Sequence, residues 1–464
     1  MNIRALLIVA AGCAAAPSAQ AQPVDEPAPG ADLIEVYRDA EGSDPQLRAA
    51  RAEFQAVQTQ RPQVRSGLLP NVEVGGDVFR NRFDDRSTGD VTWSTSQGLS
   101  LDLTQAIYNR ALFHALDQAD ASIAQASAQF ASAEQGLALR AAESYFTVLS
   151  AETELQYAIA RREATSRQLE QARKRFEVGL IAITDVNEAQ ALYDAALADV
   201  IAAENNLANA EEALRELTGR YYTELEDLRE DMPLVVPEPA NMRQWADTAL
   251  EQNLDVRAAE FFTEVARQEI EVQRSGRYPT LNAGASHGYS EDSFGGLFTN
   301  RERITTSIGL TLRVPFYQGG GVTARTSEAR YLFQQAQENL DAQRRSTLRA
   351  THDAFRGVET GIGRVQALRQ AIVSARSALE ATEAGFEVGT RTIVDVLIAQ
   401  ENLFLAQRDY HQARYEYVLN ILRLKQAAGI LSPEDLAAVN QYLVPDPDDA
   451  ETRIGMEEAP ARER

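Results

Sequence analysis

The hydrophobic period of this chain changes in the same order twice. Residues 43–67 and 243–275 carry helical patterning that ends near Pro70 and Pro279. The period then falls to two. Val91, Trp93, Thr95, Leu99, Leu101 and Leu103 alternate with Thr92, Ser94, Ser96, Gly98, Ser100 and Asp102. Ile304, Ile308, Leu310, Leu312 and Val314 alternate likewise with Thr305, Ser307, Gly309, Thr311 and Arg313. The runs before them, 71–82 and 280–291, alternate more weakly, and polar loops near 83–90 and 292–302 join each pair. The pattern predicts two β-hairpins, 71–107 and 280–316, each with one apolar and one polar face.

A very long helix follows each hairpin. No proline occurs from Ala111 to about Arg175, and alanine dominates. Leu112, Leu116, Ala119, Ile123, Ala126, Phe130, Ala133 and Leu137 recur in steps of four and three, a coiled-coil seam. The second copy runs from about Val322 to Ala384. At about 1.5 Å per residue, such helices reach roughly 100 Å, far beyond the usual globular length. Each then turns and returns in another helix, to Leu217 and to Ala427.

One unit is therefore written twice. Arg65-Ser66-Gly67 recurs as Arg274-Ser275-Gly276 and Pro70 as Pro279, an offset of 209 (274 less 65). Further on the offset is 210 (386 less 176): "FEVGLIAITDV" from Phe176 recurs as "FEVGTRTIVDV" from Phe386, and Gly219 falls on Gly429. The expected division is a first repeat over 22–240 with its tip at 176–182, and a second over 241–431 with its tip at 386–391. A C-terminal segment, 432–464, ends in an acidic, disordered tail. A repeat of this length is a duplicated domain rather than a solenoid.

Strands of about ten residues can cross an outer membrane. Four strands cannot close a barrel, and open edges in lipid leave unpaired amides at several kcal/mol each. Several protomers must share one barrel: two copies give eight strands, three give twelve, and only the wider barrel leaves an open lumen. Tyr108, Tyr278, Tyr289, Phe316 and Tyr317 lie near strand ends, where they fit either interfacial girdles or simple packing. The helices would continue the barrel wall as a coiled-coil tube, with the repeated phrase at its far tip.

Composition narrows the partners. The formal net charge over 464 residues is -23, which argues against nucleic acid or an anionic lipid surface as the main partner. Residues 1–21 form an export signal: Arg4, an apolar Ala5–Ala16 run and an Ala19-Gln20-Ala21 cleavage site. The only cysteine, Cys13, falls inside it and only half-resembles a lipoprotein box. An exported chain without cysteine has no disulfides and relies on packing. No run is apolar enough for a transmembrane helix. His114, His287, His352 and His411 are isolated and lack metal-ligand spacing. Gly319-Gly320-Gly321 lacks the Lys-Ser/Thr of a phosphate loop. No enzyme, metal or cofactor is expected.

Several segments resemble the TolC-like outer-membrane efflux protein family: "SGLLPNV" at 66–72, "LTQAIY" at 103–108, "RFEVGLIAITDV" at 175–186, "VPFYQGG" at 314–320 and "VGTRTIVDVL" at 388–397. The resemblance spans roughly residues 32–440. It implies an α+β membrane protein: a homotrimer with a twelve-stranded outer-membrane barrel, four strands per protomer, continued by a periplasmic coiled-coil barrel. It also implies an equatorial mixed region at 219–242 and after Gly429. The implied function is a passive exit duct for drugs or proteins in tripartite efflux or type I secretion. The implied partners are a periplasmic adaptor and an inner-membrane pump of RND, ABC or MFS type.

The resemblance also assigns the tips. Val178-Gly179-Leu180 and Val388-Gly389-Thr390 would receive the adaptor's helical tips; on the residues alone, these glycines serve equally as helix caps. Arg391 matches an arginine that links to positions here held by Thr184 and Asp185, and Gln168 and Glu383 match a second linked pair. Charge pattern alone also fits a solvated helix end. The family's gating tyrosine is Phe386 here, without a hydroxyl. Of two constriction aspartates, Asp395 matches one and Ile398 stands at the other, so a single ring of three carboxylates is expected. A rival reading, a periplasmic coiled-coil adaptor or scaffold, leaves the two amphipathic hairpins unexplained.

Overall fold

The computed structural model describes residues 30–294 and 301–444. The export signal with Cys13, part of the second hairpin loop and the acidic tail fall outside the described residues. In chain order the elements are α1 (Leu33–Ser43), α2 (Pro45–Gln58), α3 (Gln60–Ser66), β1 (Asn71–Asp85), β2 (Asp90–Tyr108), α4 (Arg110–Glu177), α5 (Ile183–Thr218), β3 (Asp227–Leu228) and α6 (Met242–Gln252). Then come α7 (Leu254–Arg274), β4 (Thr280–Phe294), β5 (Arg301–Arg313), α8 (Gly321–Glu387), α9 (Ile393–Ala427), α10 (Pro433–Asn440) and β6 (Leu443–Val444).

Four strands form one antiparallel sheet in the order β1-β2-β4-β5. On β2 the odd-numbered side chains Leu99, Leu101 and Leu103 are exposed, while Gly98, Ser100 and Asp102 between them are half-buried. The polar side of β2 is thus the more enclosed and the apolar side the more open, the sidedness of a barrel wall, whose concave face is polar and whose convex face is apolar. β1 runs to Asp85 and β2 starts at Asp90, so the first hairpin loop is shorter than the 83–90 expected. Polar side chains can still pair along a ladder, and the sequence pattern understated this. Tyr289 is not at a strand end: it stands between Leu99 and Ile304 on the convex face. Tyr278 lies under the Arg110 guanidinium, 4.2 Å from its ring centre.

The helical patterning of 43–67 is broken twice. Asp44 accepts the amides of Gln46 and Leu47 at 3.1 Å each and so starts α2 at Pro45. Asn253 starts α7 in the same way, accepting from Asp255 and Val256. α4 is 68 residues long and α8 is 67. Near the sheet α4 packs on α2, α3 and α7; further away it packs on α5 and α9. The seam holds: Ala119, Ala126 and Leu137 are buried, and Phe130 stacks on Phe54 with ring centres 5.7 Å apart. Among the described residues no helix is long and apolar enough to cross a membrane.

Midway along the helices an equatorial core gathers both repeats. Tyr145, Phe146, Leu422 and Leu436 are fully buried there with Leu33 and Val36. The Tyr145 hydroxyl donates to Glu226 O at 2.6 Å, and burial raises its pKa. Tyr415 donates to Asp227 Oδ1 at 2.7 Å. Arg414, 2 % exposed, donates to the carbonyls of Leu228 and Arg229. These bonds pin the β3–β6 ladder to α4 and α9.

Both return helices end on a left-handed glycine, Gly219 and Gly429, each with φ 76°. Their surroundings differ. A Cβ on Gly219 would meet Ser43 at an ordinary 3.5 Å, whereas one on Gly429 would sit 2.4 Å from Gln252 O. Gly219→Ala should therefore cost about 1 kcal/mol from backbone strain alone. Gly429→Ala should cost about 3 kcal/mol or more, because backbone must also move. Thermal unfolding of the two detergent-solubilised variants checks this; equal shifts would contradict it.

Candidate functional site

The repeated phrase forms the two turns at the ends of α4 and α8 remote from the sheet. Gly179 and Gly389 have φ 76° and 82°, which suits only glycine without strain. The turn amides are satisfied locally. Gly179 and Leu180 N–H donate to Phe176 O and Arg175 O at 2.9 Å each, and Thr390 N–H donates to Gly385 O at 2.8 Å. Val178, Leu180 and Val388 stand out at 70, 73 and 76 % exposure. Behind the first tip, Leu169, Ala172 and Ala189 form a small core. Ile393, Val396 and Leu397 are buried behind the second.

The aspartate common to both copies has two fates. On α9, Thr392 Oγ1 accepts the Asp395 amide at 3.2 Å, and Asp395 Oδ2 accepts the Thr392 amide and hydroxyl at 2.8 and 2.9 Å. This is a capping box. The amide, then the hydroxyl, and lastly the charge of Arg391 hold the Asp395 pKa below its ordinary 3.8. On α5 the cap position is Ala182, which offers no side-chain bond. Asp185 is therefore not spent on a cap; the Thr184 hydroxyl lies 3.4 Å from it.

Of the expected polar links, none closes within one chain. Arg391 makes no ion pair within 4 Å among the described residues, and its side chain folds over Gly385, where an added Cβ would be 2.8 Å from Cγ. Gln168 Oε1 is buried without a hydrogen bond, while Glu383 is exposed. Ile398 is 52 % exposed. A contact that does join the tips is made by Arg175, whose guanidinium lies 4.2 Å from the Phe386 ring centre.

Residues 36–220 and 245–430 match the family described as Outer membrane efflux protein. The outer membrane protein TolC of Vibrio cholerae is 39 % identical over 89 % of this chain and 94 % of its own length. TolC of Escherichia coli is 38 % identical over 89 % of this chain and 85 % of its own. The alkaline protease secretion protein AprF of Pseudomonas aeruginosa is 29 % identical, covering 88 % and 86 %. The chain belongs to the outer membrane efflux protein family.

It is closely related to TolC, and it is an outer-membrane channel with a periplasmic tunnel, a conduit rather than a catalyst. The fold agrees with solved relatives. The Campylobacter jejuni CmeC outer membrane channel superposes with a TM-score of 0.74 at 17 % identity, over 89 % of this chain and 90 % of that one.

Two residues of this efflux channel's tip region escaped sequence reasoning. Arg175 aligns with Gly385 in the repeat, so one tip carries an arginine at the position where the other has no side chain. That asymmetry was the available signal. Arg161 on α4 bonds Asp199 on α5 and, at 2.9 Å, Glu401 on α9, tying the two coils together above the tips. Only the register between coils reveals it.

The cap gives a signed pH dependence. Asp395 has a lowered folded pKa, so its contribution is present above 3.8 and lost as pH falls through the lower folded value. Asp395→Ala should speed hydrogen exchange in the first turn of α9 at neutral pH. Well below 3.8 the variant and the parent should exchange alike. A difference that persists in acid would remove the carboxylate's role in the cap.

Proposed function

We propose that three copies of this chain share one twelve-stranded barrel and extend it inward as a closed coiled-coil tunnel. The observation that carries this is the pair of open sheet edges: β1 and β5 are exposed along their whole length. In lipid such edges must be paired. Each copy would contribute the two repeats, 22–240 and 241–431, around a shared axis. The channel would be the outer component of a tripartite assembly, joined by a periplasmic adaptor to an RND, ABC or MFS pump. Its cargo would be drugs or, as the name of AprF says of that relative, a secreted protease.

The tips would serve two purposes. The exposed turns Val178, Gly179 and Leu180, and Val388, Gly389 and Thr390, with Val178, Leu180 and Val388 as apolar knobs, offer a surface for the adaptor's helical ends. The uncapped Asp185 with Thr184 and the unpaired Arg391 would meet across neighbouring coils, as would Gln168 and Glu383. The exposed Arg391 link would contribute only about 0–1 kcal/mol, which suits a latch that a docked partner can release. Phe386 keeps its place in the latch through Arg175 rather than through a hydroxyl.

Asp395 would line the constriction as one ring of three carboxylates, with Ile398 where a second ring could stand. Neighbouring like charges favour cation binding. Native mass and planar-bilayer conductance of the purified protein test the duct; a monomer or a non-conducting trimer would refute it. In the same recordings Asp395→Ala should weaken block by multivalent cations. Arg391→Ala and Asp185→Ala should each raise the resting conductance, and should not add when combined. Additive effects would mean that the two residues act separately.

A further inference from the structure

The internal repeat specifies how the two open edges meet. β1 and β4 span 15 residues each, and the register Asn71↔Thr104 becomes Thr280↔Arg313 when 209 (280 less 71) is added to both residues. The two hairpins are thus one structure in two copies. They meet each other through β2 and β4, in the register Ser94↔Phe294, Ser96↔Asp292, Ser100↔Gly288, Leu101↔His287 and Gln105↔Ala283. β5 is the copy of β2, and β1 is the copy of β4. We propose that β5 of one protomer pairs with β1 of the next in the register that β2 and β4 use inside the chain; this rests on the shared-barrel reading.

Moving each β2 residue forward and each β4 residue back by the repeat offset names the pairs. On the concave side Gly309 faces Phe79 of the partner subunit, Thr305 faces the partner's Phe83, and Arg303 faces the partner's Asp85. On the convex side Leu310 faces the partner's Val78, and Val314 faces the partner's Val74.

The side chains fit this register. Phe79 and Phe83 are 58 and 55 % exposed on a polar, concave face that gives them no reason to be there. An added Cβ on Gly309 would meet nothing within 4 Å, so the space above it is open. A phenylalanine laid over a glycine on the next strand fills it. Arg303 has no ion pair among the described residues, and the partner's Asp85 supplies the opposite charge. Leu310 with Val78 and Val314 with Val74 put apolar pairs toward lipid. Ile308 faces the partner's Arg80, whose guanidinium is turned onto Trp93 of its own sheet at 5.0 Å, so its aliphatic stem makes the contact.

Slipped registers fit worse. A one-residue slip turns every apolar side chain to the wrong face. A two-residue slip one way sets Gly309 against the partner's Asp77, whose carboxylate already lies over Gly98 of its own sheet, and sets Arg303 against Phe83. A two-residue slip the other way sets Gly309 against Asn81 and leaves Phe79 without the glycine.

Paired cysteines decide between them. Inside the chain, a Cβ on Gly288 would lie 3.9 Å from Ser100 Cβ, the spacing of a disulfide. The equivalent seam pair, Phe79→Cys with Gly309→Cys, should have the same geometry. A two-residue slip moves one partner by about 7 Å along its strand, out of disulfide reach. In a Cys13→Ala background, oxidised protein carrying Phe79→Cys and Gly309→Cys should run mostly as covalent trimers on a denaturing gel. Asp77→Cys or Asn81→Cys with Gly309→Cys should stay monomeric. Preferential linking of either slipped pair, or a native trimer that links at none of the three, would overturn the register and leave the barrel. A monomeric native mass with no seam link, while Ser100→Cys and Gly288→Cys still close within the chain, would overturn the barrel itself.

Discussion

A β-strand in hydrocarbon must have every amide paired, and this chain supplies two strands that do not. That constraint organises the rest. β2 and β4 are satisfied inside the sheet, but β1 and β5 each present a full row of unpaired donors and acceptors. Water would tolerate such edges; lipid does not, at several kcal/mol per group. The sheet is convex and apolar on one side, so it cannot hide by folding onto the helices. On the proposed reading, closure with further copies removes the edges. Once closure is required, both hairpins must deliver their chains to the same end, and α4 and α8 follow as parallel staves of the wall.

Duplication gives the long helices their nearly equal length, 68 and 67 residues, and small departures from it make the two tips differ. Asp185 and Asp395 are the same residue of the repeat, yet Thr392 spends one on a cap while Ala182 leaves the other free. Arg175 and Gly385 are the same position, yet one carries a guanidinium onto Phe386 and the other makes room for Arg391. Gly219 and Gly429 share a φ, yet only one sits against a neighbouring backbone. A perfectly repeated chain would place like charge opposite like at the tips and would offer the proposed latch no opposite charges. The differences matter because the common frame holds everything else in register.

Much of this was legible beforehand, for a physical reason. The alternation of Leu99, Leu101 and Leu103 with Gly98, Ser100 and Asp102 has one meaning in a strand, and the seam from Leu112 to Leu137 has one meaning in a helix. Membership of the family was visible in the tip phrase itself. What escaped was of two kinds. Strand ends near Phe83 and Asp84 carry no period-two signal, because a ladder continues through polar residues when only one face meets lipid. Arg161 and Arg175 looked like ordinary charges on a long polar helix, since the contacts that carry them to the other coil, Glu401 on α9 and Phe386 on α8, lie more than two hundred residues away. Side-chain reach between coils is not written in either helix alone. The export signal and the acidic tail belong to the sequence reading only.

The distribution of contacts explains where such a duct can move. At the equator, Tyr145, Arg414 and Tyr415 bury their polar atoms against the main chain of 226–229 and the Asp227 carboxylate, and breaking any of these bonds leaves a polar group stranded away from water. Those are costly to exchange. At the tips the contacts are a stacked guanidinium, an exposed cap and a carboxylate with one hydroxyl beside it. Each is cheap to break and has an alternative in solvent. A structure graded in this way flexes at its cheap end while its costly end stays fixed. On the proposed reading, the long helices would act as levers about the equatorial core, and a partner bound at the tip would need only to outweigh a few weak contacts to separate the coils.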